Sequence, residues 1–307
     1  MQRKANIDAL GASLLIGFSL VLAFNQVVIK LGNDGFSPAF MAFLRSAGGA
    51  VMIGGWIVLR GRKLAMKPKA RIWGVILGVL FAVEFVCLFN ALDLTTVSRA
   101  SVLFYTMPVW LSLAAHVLIP GERIGGMKAI GLGLAVLGVA VALSDRGAEG
   151  QSYSLLGDAL ALVGAMLWAA IALVLRLSPA RDEAPETQLF WQLLWSSPIL
   201  LVAALMLGPL LRDLHWAHVA GLGFQIVVVV TLAFLLWFWL LTIYPASGVA
   251  SFSFLSPVFS VILGWLLLGE QIGPRVWIAL GLVALGIVLV NRPVRSRKMS
   301  PPQPPTA

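Results

Sequence analysis

The sequence predicts an all-α membrane protein whose ten transmembrane helices form two inverted five-helix repeats around a central cavity. Three observations carry that expectation. Sixty per cent of the 307 residues are hydrophobic and only 11 % are charged, with a mean hydropathy of +0.94, a balance no ordinary soluble domain approaches. Apolar runs of about 20 residues, enough to cross about 30 Å of hydrocarbon, recur along the whole chain. The second half of the chain repeats the first.

The runs fall at residues 9–31, 37–59, 72–92, 97–118, 126–144, 155–176, 185–207, 216–242, 247–268 and 275–291. The first follows a basic start, Met1-Gln2-Arg3-Lys4, but it exceeds the roughly 7–15 apolar residues of a signal peptide and is expected to stay as a helix. It holds Asn25 and Gln26. The second carries Arg45 and the pairs Gly48-Gly49 and Gly54-Gly55; the third carries Glu84 and Cys87, the single cysteine, so neither an internal disulfide nor a cysteine metal site is expected. The fourth holds Tyr105, Pro108 and Trp110, and the fifth Gly131, Gly133 and Gly138. The sixth holds Trp168, the seventh Trp191, Gln192 and Trp195, and the eighth Gln225, Thr231, Trp237 and Trp239. The ninth holds Ser251, Phe252 and Pro257, and the tenth Gly281 and Gly286. Glycines at such places let helices approach closely. Packing within one copy is expected over a dimer seam, so a monomer should suffice.

The repeat is read from two segments. "SVLFYTMPVWLSLAAHVLIPGERIGGMKAIGLGLAVLGVAVAL" (101–143) matches "SFSFLSPVFSVILGWLLLGEQIGPRVWIALGLVALGIVLV" (251–290). Pro108 answers Pro257, Gly121-Glu122 answers Gly269-Glu270, Gly133 answers Gly281 and Gly138 answers Gly286; weaker echoes pair Lys30 with Arg176 and Pro38 with Pro185. Five spans per repeat is an odd number, so the second repeat must enter the membrane from the opposite side. The halves, expected at residues 1–146 and 150–292, would then be inverted, an arrangement that belongs to transporters.

Charge gives the orientation. With ten spans both termini share one side; that side holds sixteen Lys and Arg, against four (Arg99, Arg146, Arg212 and Arg275) on the other, with Lys30 and Arg45 inside spans. The bias places both termini in the cytoplasm. It also accounts for the net charge of +9 without a nucleic-acid partner. The Pro-rich basic tail at 293–307 is expected to be a disordered cytoplasmic end, with anionic lipid headgroups as its partner.

Pro108 and Pro257 lie inside apolar spans, where each removes a backbone donor and frees a carbonyl one turn earlier, of Phe104 and Ser253. They are expected either to kink packed helices or to mark unwound backbone lining a wet cavity. Glu84 lies roughly 18 Å into its helix from one face and Arg45 roughly 12 Å from the other, at 1.5 Å per residue, so both sit near mid-membrane. A charge there costs at least about 2.5 kcal/mol and wants a partner. Two readings stand: the pair lock to each other, or Glu84 receives a substrate ammonium or a proton while Arg45 orients a carboxylate. Asn25, Tyr105, Trp168, Gln192, Gln225, Trp237, Ser251 and Phe252 complete the candidate lining, with Pro108 and Pro257 as the kinks. The mid-span tryptophans could stack on a flat side chain.

No HExxH, Gly-x-Ser-x-Gly or P-loop is present, and His116, His215 and His218 lie toward span ends, so neither an enzyme nor an ATP-driven pump is expected, and no cofactor or metal. The ten-span duplicated layout, the proline followed by Gly-Glu in each half (Pro108 to Gly121-Glu122, Pro257 to Gly269-Glu270) and the glycine-rich fifth and tenth spans resemble the EamA group of the drug/metabolite transporter superfamily. The likeness covers nearly the whole chain. That family often has Trp-Gly followed by Lys in its first helix; here the spacing survives from Leu22 to Lys30, and Trp168 stands eight residues before Arg176. Among its members the chain is most similar to the bacterial inner-membrane aromatic amino acid exporters. The resemblance implies a secondary transporter that exports amino acids, aromatic or otherwise neutral, or similar small metabolites by alternating access. Phosphorylated or nucleotide sugars are the alternative within the superfamily, and would call for several cavity Lys or Arg where the sequence offers Arg45 and Lys30. A passive channel is the alternative outside it.

Overall fold

Prolines and small polar caps decide where most helices begin. The computed structural model describes residues 7–120, 122, 124–144, 154–244, 249 and 252–291, so the expectations for Arg3, Lys4, Ser251 and the 293–307 tail lie outside it. Helix α1 (Ala9–Gly35) starts at Asp8, whose carboxylate accepts the Gly11 N–H at 2.9 Å. Helices α2 (Pro38–Leu59) and α3 (Pro68–Leu94) start on proline, whose missing N–H needs no partner in a first turn. Helix α4 (Val97–Phe104) starts at Thr96 and stops at Phe104, and α5 (Met107–Leu118) resumes two residues later. The interruption stands just ahead of Pro108. Thr106 turns its N–H and its hydroxyl back to the Leu103 carbonyl, at 3.2 and 2.6 Å.

Helix α6 (Gly126–Ser144) ends the first half. Helix α7 (Leu155–Leu177) is capped by Ser154, and α8 (Pro185–Leu207) again begins on proline. Helix α9 (Trp216–Phe224) widens into a nine-residue π-helical stretch, Gln225–Ala233, before α10 (Phe234–Ile243). A 3-10 turn at Phe252–Phe254 leads into α11 (Leu255–Leu268), which carries Pro257 in its first turn and ends at Gly269 in the left-handed conformation, φ +64°. Helix α12 (Pro274–Val290) closes the described chain. Pro108 and Pro257 thus both coincide with broken helix, whereas Pro198 lies within the continuous helix α8. Among the described residues there is no β-strand, only one antiparallel bridge between Phe36 and Leu211.

Eight helical segments are long and apolar enough to cross a membrane, with Val97–Leu118 and Trp216–Ile243 each counted as one, and α11 and α12 are shorter apolar helices. The chain is a multi-pass membrane protein. Its principal packing joins helices from before residue 144 to helices from after residue 155: α6 on α12, α3 on α7 and α8, α2 on α8, α1 and α4 on α11. The closest seam is α6 against α12, where a Cβ on Gly131 would stand 2.8 Å from the Gly286 carbonyl and one on Gly286 would stand 2.6 Å from that of Gly131. Gly138 meets α12 in the same way, whereas Gly133 and Gly281 face open space. Only part of the glycine set therefore serves packing.

Two ends of the bundle can be told apart. At the basic end, which holds Arg60 to Arg71, Tyr244 donates to Asp8 at 2.5 Å, Arg62 pairs with Glu186, Glu183 accepts the Lys67 N–H at 3.0 Å and Arg176 pairs with Glu122 at 2.8 Å. At the opposite end Arg212 pairs with Asp93, and Glu270 bonds the start of α4.

Candidate functional site

A cavity of about 270 Å³ lies between the halves. Helices α1, α2 and α3 give it Asn25, Gln26, Arg45 and Glu84; the break after α4 gives it Phe104 and Tyr105; α7, α8 and α10 give it Trp168, Gln192 and Trp237. Each polar member sits in an otherwise apolar run, so the fold spends its few mid-helix polar groups here. Arg45 and Glu84 are both buried. Among the described residues no ion pair within 4 Å joins them. Arg45 lies instead over the Phe85 ring, 4.3 Å from its centre, in a cation–π contact. Its Nε and Nη1 have no hydrogen-bond partner, and neither do Glu84 Oε2, Asn25 Oδ1 and Gln26 Oε1.

Aromatic rings make the rest of the wall. Phe104 stacks on Trp168 with ring centres 5.2 Å apart and 17° between planes, and Tyr105 approaches the same indole edge-on at 6.2 Å. The Tyr105 hydroxyl faces Gln26, Ser256 and Ser260, which joins the two broken helices beneath the cavity. Phe81, Phe85, Phe234 and Phe238 also contribute. These phenylalanines gave no sequence signal, because an aromatic ring inside an apolar run has nothing to contrast with.

Of the candidates read from sequence, Glu84, Arg45, Asn25, Tyr105, Trp168, Gln192 and Trp237 are brought together. Gln225 is not among the lining residues; it is buried beside Met41, with Nε2 3.6 Å from the thioether sulfur. Phe252 packs instead in a separate cluster with Leu15, Leu240 and Tyr244, and its carbonyl accepts from Ser19 at 3.4 Å. Pro108 and Pro257 shape the breaks without lining the space. Trp191 spends its indole N–H on the Leu64 carbonyl at 2.8 Å, Trp110 bonds Thr106 at 3.1 Å, and Trp195 and Trp239 are exposed on the lipid-facing surface.

The cavity reaches the basic end, where Leu175, Pro185 and Gln188 form part of its wall, and no lining residue comes from the opposite end. There the halves are tied shut. Arg212 grips Asp93 through two bonds of 2.8 and 2.9 Å and the Asn33 carbonyl through a third of 2.8 Å. The Asp93 bonds hold the Arg212 guanidinium above its ordinary pKa. Lys30 donates to the carbonyls of Asp93 and Thr95 at 3.2 and 3.0 Å. Glu270 is buried on the first turn of α4, accepting from Val97 N–H at 2.6 Å, Ser98 N–H at 3.0 Å and Ser98 Oγ at 2.5 Å. Arg99 and Asp158 form a buried ion pair at 2.5 Å.

One family pattern, described as the EamA-like transporter family, matches residues 9–144 and again residues 155–292. The chain belongs to the EamA-like transporter family. The transporter is 23 % identical over 288 residues to "Uncharacterized transporter YoaV" of Bacillus subtilis (strain 168), covering 93 % of this chain and 98 % of that one. It is 27 % identical over 300 residues to a protein of Escherichia coli (strain K12) named "Probable amino-acid metabolite efflux pump", covering 94 % and 93 %. An inner-membrane relative, "Uncharacterized inner membrane transporter YedA" of the same strain, is 21 % identical over 283 residues, covering 90 % and 89 %. A crystal structure 20 % identical in sequence superposes with a TM-score of 0.63 over 91 % of this chain and 96 % of that chain, a likeness of fold alone. Because the same family pattern fits each half in turn, the transporter is built from a duplicated unit.

Proposed function

We propose that this transporter exports amino acids with neutral or aromatic side chains, or similarly small zwitterionic metabolites, from the cytoplasm by exposing its central cavity alternately to each side. The observation that carries this reading is the couple Arg45 and Glu84 in an aromatic cavity, not bonded to each other and each with polar atoms that no described residue satisfies. Leaving a buried polar atom unmade costs about 1–3 kcal/mol, and more for charged groups. A zwitterion removes that cost: its carboxylate meets Arg45, its ammonium meets Glu84 and the amide oxygens of Asn25 and Gln26, and its side chain lies against Trp168, Tyr105 and Trp237. Gln192 is placed to bond the remaining polar edge.

Size and charge argue against the phosphorylated-sugar alternative. At about 270 Å³ the cavity is near the lower bound of the roughly 300–1,000 Å³ usual for ligand sites, and among its described lining residues Arg45 alone is cationic. The relative named as a probable amino-acid metabolite efflux pump supports the same substrate class.

Ten spans are inferred from the eight long segments together with α11 and α12, in inverted units at 1–146 and 150–292. The packing supports this, because α2 packs on α8, α4 on α11 and α6 on α12, three pairs of counterparts in the repeat, and the contact of α3 with α7 is answered by that of α1 with α9, as a two-fold relation between the halves produces. The basic end is assigned to the cytoplasm by the sixteen-to-four distribution of Lys and Arg, which makes the cavity open inward.

The test is uptake into liposomes of labelled neutral amino acids against labelled sugar phosphates. Amino acids should be carried, and Glu84→Gln should slow them at least about tenfold, equivalent to about 1.4 kcal/mol of lost binding, with folded protein retained. Uptake of the phosphates alone would reverse the substrate assignment. Undiminished uptake by Glu84→Gln would reduce Glu84 to a packing residue.

A further inference from the structure

Beyond the cavity, the polar contacts at the Asp93 end form a device that the substrate site does not use. We propose that this cluster is the outer gate of the transporter, that Glu270 is its latch, and that α4 carries the state of the latch to the cavity wall. The inference rests on the transport function and the orientation just proposed.

The contacts have the character of a gate. Glu270 comes from the second half and docks on the first, satisfying N–H groups that an α-helix leaves free in its first turn, where a carboxylate is also favoured by the helix dipole. Arg212 and Asp93 likewise join opposite halves, and their side chains are 39 % and 22 % exposed. Such a pair is held by two good bonds yet separates at small cost in contact with water. Lys30 adds a cation beside both acids.

Helix α4 is suited to transmit the change. It has eight residues and is cut from α5 at Tyr105 and Thr106. One end therefore carries Glu270, and the other is the cavity wall, with Phe104 stacked on Trp168. Release of Glu270 would free a short rigid rod whose far end is part of the binding site.

The place for the latch is specifically shaped. A Cβ on residue 264 would stand 2.6 Å from Glu270 Oε2, so glycine there leaves room for the buried carboxylate. Counting from the prolines, the residue of the first half that matches position 264 is Ala115; the acid of the first half's Gly-Glu pair is Glu122, 14 residues after Pro108 where Glu270 stands 13 after Pro257. Glu122 is not buried on a helix start; it pairs with Arg176, the counterpart of Lys30, with the two side chains 37 % and 50 % exposed. Glu270 is thus buried at the closed end, while Glu122 makes a half-exposed ion pair at the basic end, where the cavity reaches the surface.

The experiment replaces Cys87 by alanine and Ala172, on the cavity wall, by cysteine, leaving one reporter thiol. Right-side-out and inside-out vesicles are treated with a membrane-impermeant maleimide. The parent should react from the cytoplasmic side only. Glu270→Ala should add labelling from outside, at least about tenfold faster than the parent, a shift of about 1.4 kcal/mol toward the open gate. Glu270→Gln should fall between the two, because its amide oxygen keeps one acceptor, and Arg212→Gln should open the same side. A single monodisperse species in detergent with the parent's thermal unfolding midpoint shows in each case that the variant is folded. If every variant reacts only from the cytoplasm, the gate inference is overturned and the cavity stands. If no protein reacts from either side until denatured, the transport reading falls and the gate falls with it.

Discussion

Arg99 and Asp158 form one buried acid–base couple of the helical region, and Arg45 and Glu84 form another; their difference separates structure from function. Arg99 and Asp158 touch at 2.5 Å, and Thr95 adds a 3.1 Å bond to the same carboxylate, fixing the start of α4 to that of α7. Arg45 and Glu84 are equally buried but not bonded to each other. A satisfied couple stabilises one structure, whereas an unsatisfied couple waits for a ligand. Asp158→Ala should therefore destabilise the folded protein by about 3–5 kcal/mol by leaving Arg99 as an uncompensated buried charge. Replacing both residues by leucine should cost less than the single change. Thermal unfolding in detergent measures both, and a mild Asp158→Ala would show that the pair is not a clamp. Sequence alone counted Arg99 as a loop charge, because its partner lies 59 positions away and no local pattern joins them.

At the level of helices, what can be read from sequence follows where the chain has punctuation. Pro108 and Pro257 announce breaks, and α4 and α11 are interrupted or initiated beside them. The π-helical stretch Gln225–Ala233 has neither proline nor glycine, so nothing local announces it. What accompanies it is tertiary: Ile226 and Val230 press onto Gly48 and Gly49 of α2, so closely that a Cβ on either glycine would stand 2.5–2.6 Å from them. The glycines of α6 and α12 teach the same lesson with opposite signs. Gly286→Ala meets the Gly131 carbonyl and the Ala135 side chain, and overpacking of this kind costs about 1–3 kcal/mol. Gly281→Ala meets nothing within 4 Å, and should stabilise its helix by about 0.5–1 kcal/mol through lost chain entropy. Midpoints of thermal unfolding should move in opposite directions. A matching shift in both variants would mean that the α6–α12 seam is looser than its geometry.

For the whole molecule, polar residues in apolar spans were legible as cavity members because burial without a partner is costly anywhere else, which is why Glu84, Arg45 and Asn25 converge. The phenylalanine wall was not, since its residues would be equally content in lipid. Orientation follows from charge rather than packing, so it has its own test. In a Cys87→Ala background, a cysteine at Gly147 in the link between the halves should react with an impermeant maleimide from outside, and one at Lys63 should react from the cytoplasmic side. Reaction of both from the cytoplasm would mean an even number of spans before residue 147. The halves would then be parallel, and the meeting of α2 with α8 and α6 with α12 as counterparts would reflect a two-fold axis along the membrane normal instead of one in the membrane plane. Reaction of both from the reversed sides would keep the inverted repeats but turn the cavity mouth outward and make the Glu270 latch a cytoplasmic gate.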